Sequence, residues 1–316
     1  MPDTPPKPSA KSSGLASWFS HHFGRKDGPQ FRVDESVVLR KEYRSTTFFA
    51  TNKLTGTAAA CKKIYVRDFS DHDRMALKRL RQIFGSPEMR RRQMEVDSPN
   101  VQRIYDCGVA YEKLFQQVFY VFCEHVEGLY DRQRKPFDYQ PRVGISKNNV
   151  NLLIEIGKGL SAIHRHGLIH QEVCPDNIFL SDAGKVKVIN WGPLRNTERL
   201  LYMQTMESGV PLAGVPGFLS PEQIAQGKAD RRSDIYAFGI LAHLIFTGSN
   251  PYAASELTPQ TMKLTRDDFE LHMDEGLRKH RAGRVVAACT KAQPNQRYQM
   301  MADVLKDLYI LQREGF

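Results

Sequence analysis

The chain of 316 residues lacks an apolar run able to cross a membrane: the longest, Ile235 to Phe246, contains His243 and falls well short of the ~20 residues a span requires. Cysteine is scarce. Cys61, Cys107, Cys123, Cys174 and Cys289 are scattered, with no CxxC pair and no histidine at metal-ligand spacing, which excludes a disulfide scaffold and a zinc site. A reducing compartment, the cytoplasm, is therefore expected. The opening stretch MPDTPPKPSAKSS has no apolar core of the kind a secretory signal carries. No internal repeat is present. No helix-turn-helix, zinc-finger or base-stacking motif accompanies the net charge of +10, so nucleic acid is not the expected partner.

What the chain does have is 41% hydrophobic residues and 10% aromatics, enough for a sizeable core. Residues 1–30 read as a tail whose Pro, Ser and Lys content cannot bury enough surface to order itself. Within it, Leu15 to Lys26 mixes Trp18, Phe19 and Phe23 with basic residues, a composition suited to an anionic membrane surface or a partner. A plain solvated tail is the simpler reading, because no helical period is sustained. The densest positive charge is Lys78, Arg79, Arg81, Arg90, Arg91 and Arg92 in one helical stretch, either a solvated face or a dock for an acidic protein.

Short β-rich runs dominate from Phe31 to Cys123: Val37 to Arg40, Thr46 to Thr51, Thr57 to Val66, Val101 to Tyr111 and Phe119 to Cys123. One helical segment, about Asp73 to Met94, interrupts them and is expected to break near Gly85, Ser86 and Pro87. From about Asn148 the pattern turns helical. Leu152, Leu153, Ile156, Leu160 and Ile163 recur at spacings of three and four, and Ile235 to Phe246 reads as a buried helix. A β-rich first third before a helical remainder predicts an α+β architecture in two parts.

The most informative segment is GLIHQEVCPDNIFLSDAGKVKVINWGP, Gly167 to Pro193: a helix end, a polar loop, two short strands and a tight turn. HQEVCPDN at 170–177 and NWG at 190–192 resemble the HRDxKPEN loop and DFG turn of protein kinases. The resemblance extends in order along the chain. Ala59 to Ile64 is similar to the VAIK strand, Ser98 to Val101 to HPNI, and Tyr120 to Gly128 to the hinge. Gly214 to Glu222 is similar to the end of an activation segment, Ser233 to Gly239 to the SDIYxxG helix start, and Pro294 to Tyr298 to the PxxRY turn. Any one match is weak; seven in order are specific. PEQ and RYQ add a likeness to bacterial serine/threonine kinases. The resemblance implies a two-lobed kinase-like fold: a small β-rich lobe with one helix over residues 31–126, a hinge near 123–126, and a larger helical lobe over 127–316.

It also implies roles. Lys62 takes the place of the phosphate-gripping lysine, with Glu88 as its nearest helix partner, and Cys123, Glu124 and Val126 take the hinge positions that meet ATP. Glu172 stands where the base aspartate belongs, one methylene longer, and misplacement by ~1 Å can cost about a hundredfold. Gln171 replaces the arginine that pairs with an activating phosphate, so phosphorylation at Thr197, Tyr202, Thr205 or Ser208 is not expected to switch the domain by the usual route. Cys174 replaces the lysine that neutralises the transferred phosphate and reads as a small buried thiol. Asn177 keeps its identity, while Asn190 replaces the main Mg²⁺ ligand, so the two form a weak metal site. Between the first strands Leu39 to Ser45 has no glycine to admit phosphates to the backbone; Arg40, Lys41 or Arg44 could meet an anion there.

By contrast Glu222, Arg297, Asp234 and His170 match residues that hold the large lobe together. A maintained scaffold with eroded phosphoryl-transfer chemistry predicts a pseudokinase, acting as allosteric partner, scaffold or nucleotide-sensing switch. Its ATP binding is expected to be weak and largely metal-independent, and its partner to be a protein, an active kinase among the candidates. Two alternatives stay open: a weak serine/threonine kinase with Glu172 as base, and a basic docking module for an acidic partner or nucleic acid.

Overall fold

A computed structural model describes residues 30–41, 45–65, 86–111, 117–130, 144–181, 183–194, 215–226, 229–252 and 273–314. The chain divides into two compact units, one of residues 1–90 and 104–131, the other of residues 91–103 and 132–316.

Five strands of the first unit, β1 (Phe31–Lys41), β2 (Ser45–Asn52), β3 (Ala58–Tyr65), β4 (Ile104–Tyr111) and β5 (Gln117–Glu124), form one sheet in the order β1-β2-β3-β5-β4, with every neighbouring pair antiparallel. The first strand starts at Phe31 rather than Val37, because Phe31 stacks on Phe122 at 4.9 Å and on Tyr105 at 5.5 Å. Its pairing slips between Asp34 and Val38, where Asp34 Oδ1 accepts from the backbone N–H of Ser36, a local turn that bends the strand. The fourth strand starts at Ile104, three residues later than the pattern suggested, since Val101 is claimed by the second unit. Strand β3 lies between β2 and β5, and its Ala59, Ala60, Cys61 and Ile64 are wholly buried. That is why the run lacks the alternation of a half-solvated strand.

Helix α1 (Pro87–Glu95) begins at the proline the sequence marked as a break, since proline at a first helical turn loses no hydrogen bond. The upstream part of that basic segment, including Lys78, Arg79 and Arg81, lies outside the described residues.

In the second unit α2 (Lys147–Arg165) is capped by Ser146, whose hydroxyl accepts from Asn149 N–H, and buries Leu152, Leu153, Ile156, Leu160 and Ile163. Strands β6 (Ile178–Leu180) and β7 (Val186–Val188) form a small hairpin. Helices α3 (Pro221–Gln226), α4 (Arg231–Thr247), α5 (Glu275–Lys279), α6 (Arg281–Cys289) and α7 (Met301–Glu314) complete the described part. Helix α4 contains the run read as a buried helix. Asp230 and Ser233 close a capping box at its start, and Gly248, at φ 76°, ends it in the left-handed conformation.

Residues 91–103 join this unit through backbone pairing: Val188 N–H donates to Asn100 O at 2.7 Å and Gln102 N–H to Val188 O at 2.9 Å. Asn100 Nδ2 adds bonds to Glu155 Oε2 and Val186 O. Gly159 makes the approach feasible, because a Cβ there would lie 2.7 Å from Asn100 O.

Candidate functional site

The site residues are held by two different kinds of element. In the first unit Lys62 lies on β3, opposite Thr47 on β2 and Val121 on β5, and its exposure is only 6%. Cys123 and Glu124 are the last residues of β5, paired with Ala60 and Ala59. The Cys123 thiol reaches Ala60 O at 3.7 Å, and burial pushes its pKa up to about 12. It is therefore a packed thiol, with no nucleophilic role at neutral pH. Val126 follows, and its carbonyl accepts from Leu129 N–H in a turn. Residues 42–44, which hold Arg44 and the tip of the glycine-free turn, lie outside the described residues, as do Thr197, Tyr202, Thr205 and Ser208.

The second unit carries the loop that resembles a catalytic loop, and Asp234 at the start of α4 organises it. Its Oδ2 accepts from His170 N–H and His164 Nε2, both at 2.8 Å, and its Oδ1 from Gln171 N–H at 2.7 Å. Burial pushes the Asp234 carboxyl up, but the bonds and charges of His164 and His170 outweigh it and hold the group below its usual range. This anchor fixes Gln171 at φ 68°, a conformation rare for a residue with a Cβ. His170 is wholly buried. Its Nε2 meets Ile189 O at 3.0 Å and its Nδ1 accepts from Glu172 N–H, so both nitrogens hold the loop rather than face a substrate.

Glu172 keeps a carboxylate in the base position, yet it is 5% exposed and borders a cavity of ≈ 10 Å³, lined also by Val215, Phe218 and Leu219. That space holds about one water molecule and no substrate side chain. Cys174 is wholly buried.

Asn177 and Asn190 meet. Asn177 Nδ2 donates to Glu172 O at 2.7 Å, which turns Asn177 Oδ1 the other way, and there it accepts from Asn190 Nδ2 at 2.9 Å. The orientation of both amides follows from one backbone carbonyl, since Glu172 O can only accept. Asn190 thus offers an N–H donor where the kinase pattern offers a carboxylate oxygen, and it does so at φ 57°. Mg²⁺ takes oxygen ligands, usually with one or two carboxylates among them. Among the described residues no cluster of three or more His, Cys, Asp or Glu is placed to hold a metal ion. This donor set does not match Mg²⁺.

Next in the chain after Asn190 comes Trp191, wholly buried, whose indole Nε1–H donates to Gln102 O at 2.8 Å. The sequence signalled the turn but not this bond. A phenylalanine, the usual residue there, has no donor, so tryptophan ties the turn to residues 91–103.

The scaffold is fully bonded. Arg297 grips Glu222 with two parallel bonds of 2.9 and 2.7 Å, donates to Lys291 O, Ala292 O and Arg232 O, and lies 4.9 Å over the Tyr236 ring. Ser233 Oγ adds a bond to Glu222 Oε1. No described helix is long and apolar enough to cross a membrane.

These features accord with comparisons to known proteins. Residues 43–310 match the family model described as the protein kinase domain. Serine/threonine-protein kinase PknL of Mycobacterium tuberculosis is 44% identical over 94 residues, which cover 30% of this chain and 23% of that protein. The probable serine/threonine-protein kinase PknB of Corynebacterium glutamicum is 28% identical over 291 residues, 90% of this chain and 43% of that protein. Serine/threonine-protein kinase pkn2 of Myxococcus xanthus is 36% identical over 104 residues, 32% of this chain and 12% of that protein. The chain therefore spans less than half the length of each of these relatives. With a five-stranded antiparallel sheet in one unit, a helical second unit, and a family match over most of its length, the chain belongs to the protein kinase domain family.

Proposed function

We propose that this domain is a pseudokinase that works by binding, as an allosteric partner, scaffold or nucleotide-sensing switch. The observation that carries the reading is the bond from Asn190 Nδ2 to Asn177 Oδ1, which occupies the Asn177 oxygen that would otherwise draw a metal and leaves Asn190 a neutral amide where the kinase pattern has a carboxylate. The burial of Glu172 supports it, because a general base must come within hydrogen-bond reach of the hydroxyl it deprotonates. ATP is held weakly and without need of a divalent cation, through Lys62 and the residues Cys123, Glu124 and Val126. An acidic protein partner is met by the exposed Arg91 and Arg92 of α1, whereas Arg90 is half-buried and serves packing.

A thermal-shift experiment on the full chain with ATP, with and without Mg²⁺, tests this. A small shift, the same in both conditions and lost in Lys62→Met, is the expected result. A large shift that requires Mg²⁺, or incorporation of labelled phosphate that Glu172→Gln abolishes, overturns the reading in favour of a weak serine/threonine kinase.

A further inference from the structure

The register of the five-stranded sheet sorts its side chains into two faces, since successive residues alternate and residues paired across strands point the same way. Thr47 pairs with Lys62 and Lys62 with Val121; Phe49 pairs with Ala60 and Ala60 with Cys123. Phe49, Ala60, Lys62 and Cys123 therefore share one face, that of the lysine expected to grip phosphate. Phe31, Ala50, Cys61 and Phe122 pack together on the other.

A side chain from beyond the sheet joins the first face. After β5 the chain reverses in a turn, with Leu129 N–H donating to Val126 O at 3.1 Å and Gly128 at φ 78°. The reversal brings Tyr130 back over the residues just before it. Its ring lies 5.6 Å from the His125 ring at 36°, and His125 meets Phe49 edge-on at 5.6 Å. Burial holds the His125 pKa below its ordinary value, so at pH 7 this ring is neutral and packs as an aromatic. The Tyr130 side chain also hydrogen-bonds to Cys123. The Cys123 thiol directs its own hydrogen at Ala60 O, 3.7 Å away, which leaves the sulfur to accept from the Tyr130 hydroxyl. Three rings and a buried thiol thus form one run of contacts from β2 to the hinge, all within the first unit.

These contacts fall where a nucleotide is expected, because Cys123 and Val126 hold hinge positions that meet ATP in the kinase pattern. A purine base is flat, with apolar faces and polar groups at its rim. A tyrosine ring has the same character: an apolar body with one polar tip. We infer that Tyr130 stands in for the nucleotide base, as an internal occupant that adenine must displace before ATP can bind. The inference rests on the reading of the hinge as a nucleotide site and gives the weakness of that site a cause. Tyr130 is half-buried and held by one ring contact and one bond to sulfur, so it is displaceable rather than a fixed plug. A place open about a tenth of the time raises the apparent dissociation constant about tenfold.

The test uses the full chain and three probes, each titrated by calorimetry in chelator: adenosine, which has the base and no phosphate; tripolyphosphate, which has phosphate and no base; and ATP. Tyr130→Ala vacates the place. It is expected to bind adenosine and ATP about tenfold more tightly than the parent does, and tripolyphosphate equally. Tyr130→Phe keeps the ring packing and gives up only the bond to Cys123, and is expected to gain about threefold for adenosine. That variant decides the matter should Tyr130→Ala not fold. The inference is overturned if neither variant binds adenosine more tightly than the parent, or if tripolyphosphate gains as much as adenosine. A Mg²⁺-dependent ATP shift or phosphate transfer would sink the pseudokinase reading and leave the Tyr130 contact standing, whereas unaltered adenosine binding sinks only the latter.

Discussion

Asn190→Asp restores the carboxylate of the kinase pattern without changing the shape of the side chain, so its effect is electrostatic. In the protein as it stands Asn190 donates to Asn177 Oδ1 at 2.9 Å, and Asn177 cannot turn over because its own amide N–H₂ is held by Glu172 O. The substitution sets oxygen against oxygen. Losing the bond removes ~1 kcal/mol, and leaving the acceptor of Asn177, a residue 3% exposed, without a donor adds ~1–3 kcal/mol. The new charge is half-exposed, so water screens it and little more is added. The total of about 2–4 kcal/mol corresponds to a fall in melting temperature of about 5–10 °C for a unit of this size. Calorimetry in chelator should show that fall, and added Mg²⁺ should reverse part of it, since a ligand that binds only the folded state stabilises it. Phosphate incorporation should stay at background, because Cys174 and the glycine-free turn remain and such parts act as a unit. A variant as stable as the parent in chelator refutes the amide pair, and with it the central support for the pseudokinase reading.

Arg297→Met gives up the paired bonds to Glu222 and those to three backbone carbonyls and leaves the Glu222 carboxylate without its cation, and is expected to destabilise the second unit by about 3–5 kcal/mol in urea denaturation; a loss under about 1 kcal/mol contradicts it. A pH effect centres on His243, whose Nε2 accepts from Asp274 N–H and whose Nδ1 meets Ser249 O at 3.0 Å. Burial holds its pKa below the ordinary value. The unfolded chain therefore takes up a proton first, near pH 6.5, and stability should fall as pH drops from there towards the lower folded value. His125 shifts the same way by burial, while Glu222 and Asp234, whose pKa values are lowered, lose their contribution only below about pH 4. The stability advantage of the parent over His243→Gln should shrink as pH falls from 7 to 5, and a constant difference between their melting curves rules the linkage out.

Much of the fold was legible because it rests on local pattern. The proline at 87, the spacing of Leu152 to Ile163, and the apolar run Ile235 to Phe246 each name an element boundary, face or core helix from neighbouring residues alone. The strands were legible in number but not in extent. Where β1 and β4 begin was decided by Phe31 stacking on Phe122 and by Val101 pairing with Val188, contacts between residues far apart in the chain. Asp234, Glu222 and Arg297 were marked by motif, and their geometry agrees with it.

The sequence by itself determined which groups are absent: the aspartate at 190, the lysine at 174 and the glycines between the first strands are missing in any conformation. Only the tertiary structure decided what the replacements do. An amide can donate or accept, and which end Asn190 presents depends on Asn177, and that in turn on a carbonyl at Glu172, a chain of partners no local pattern encodes.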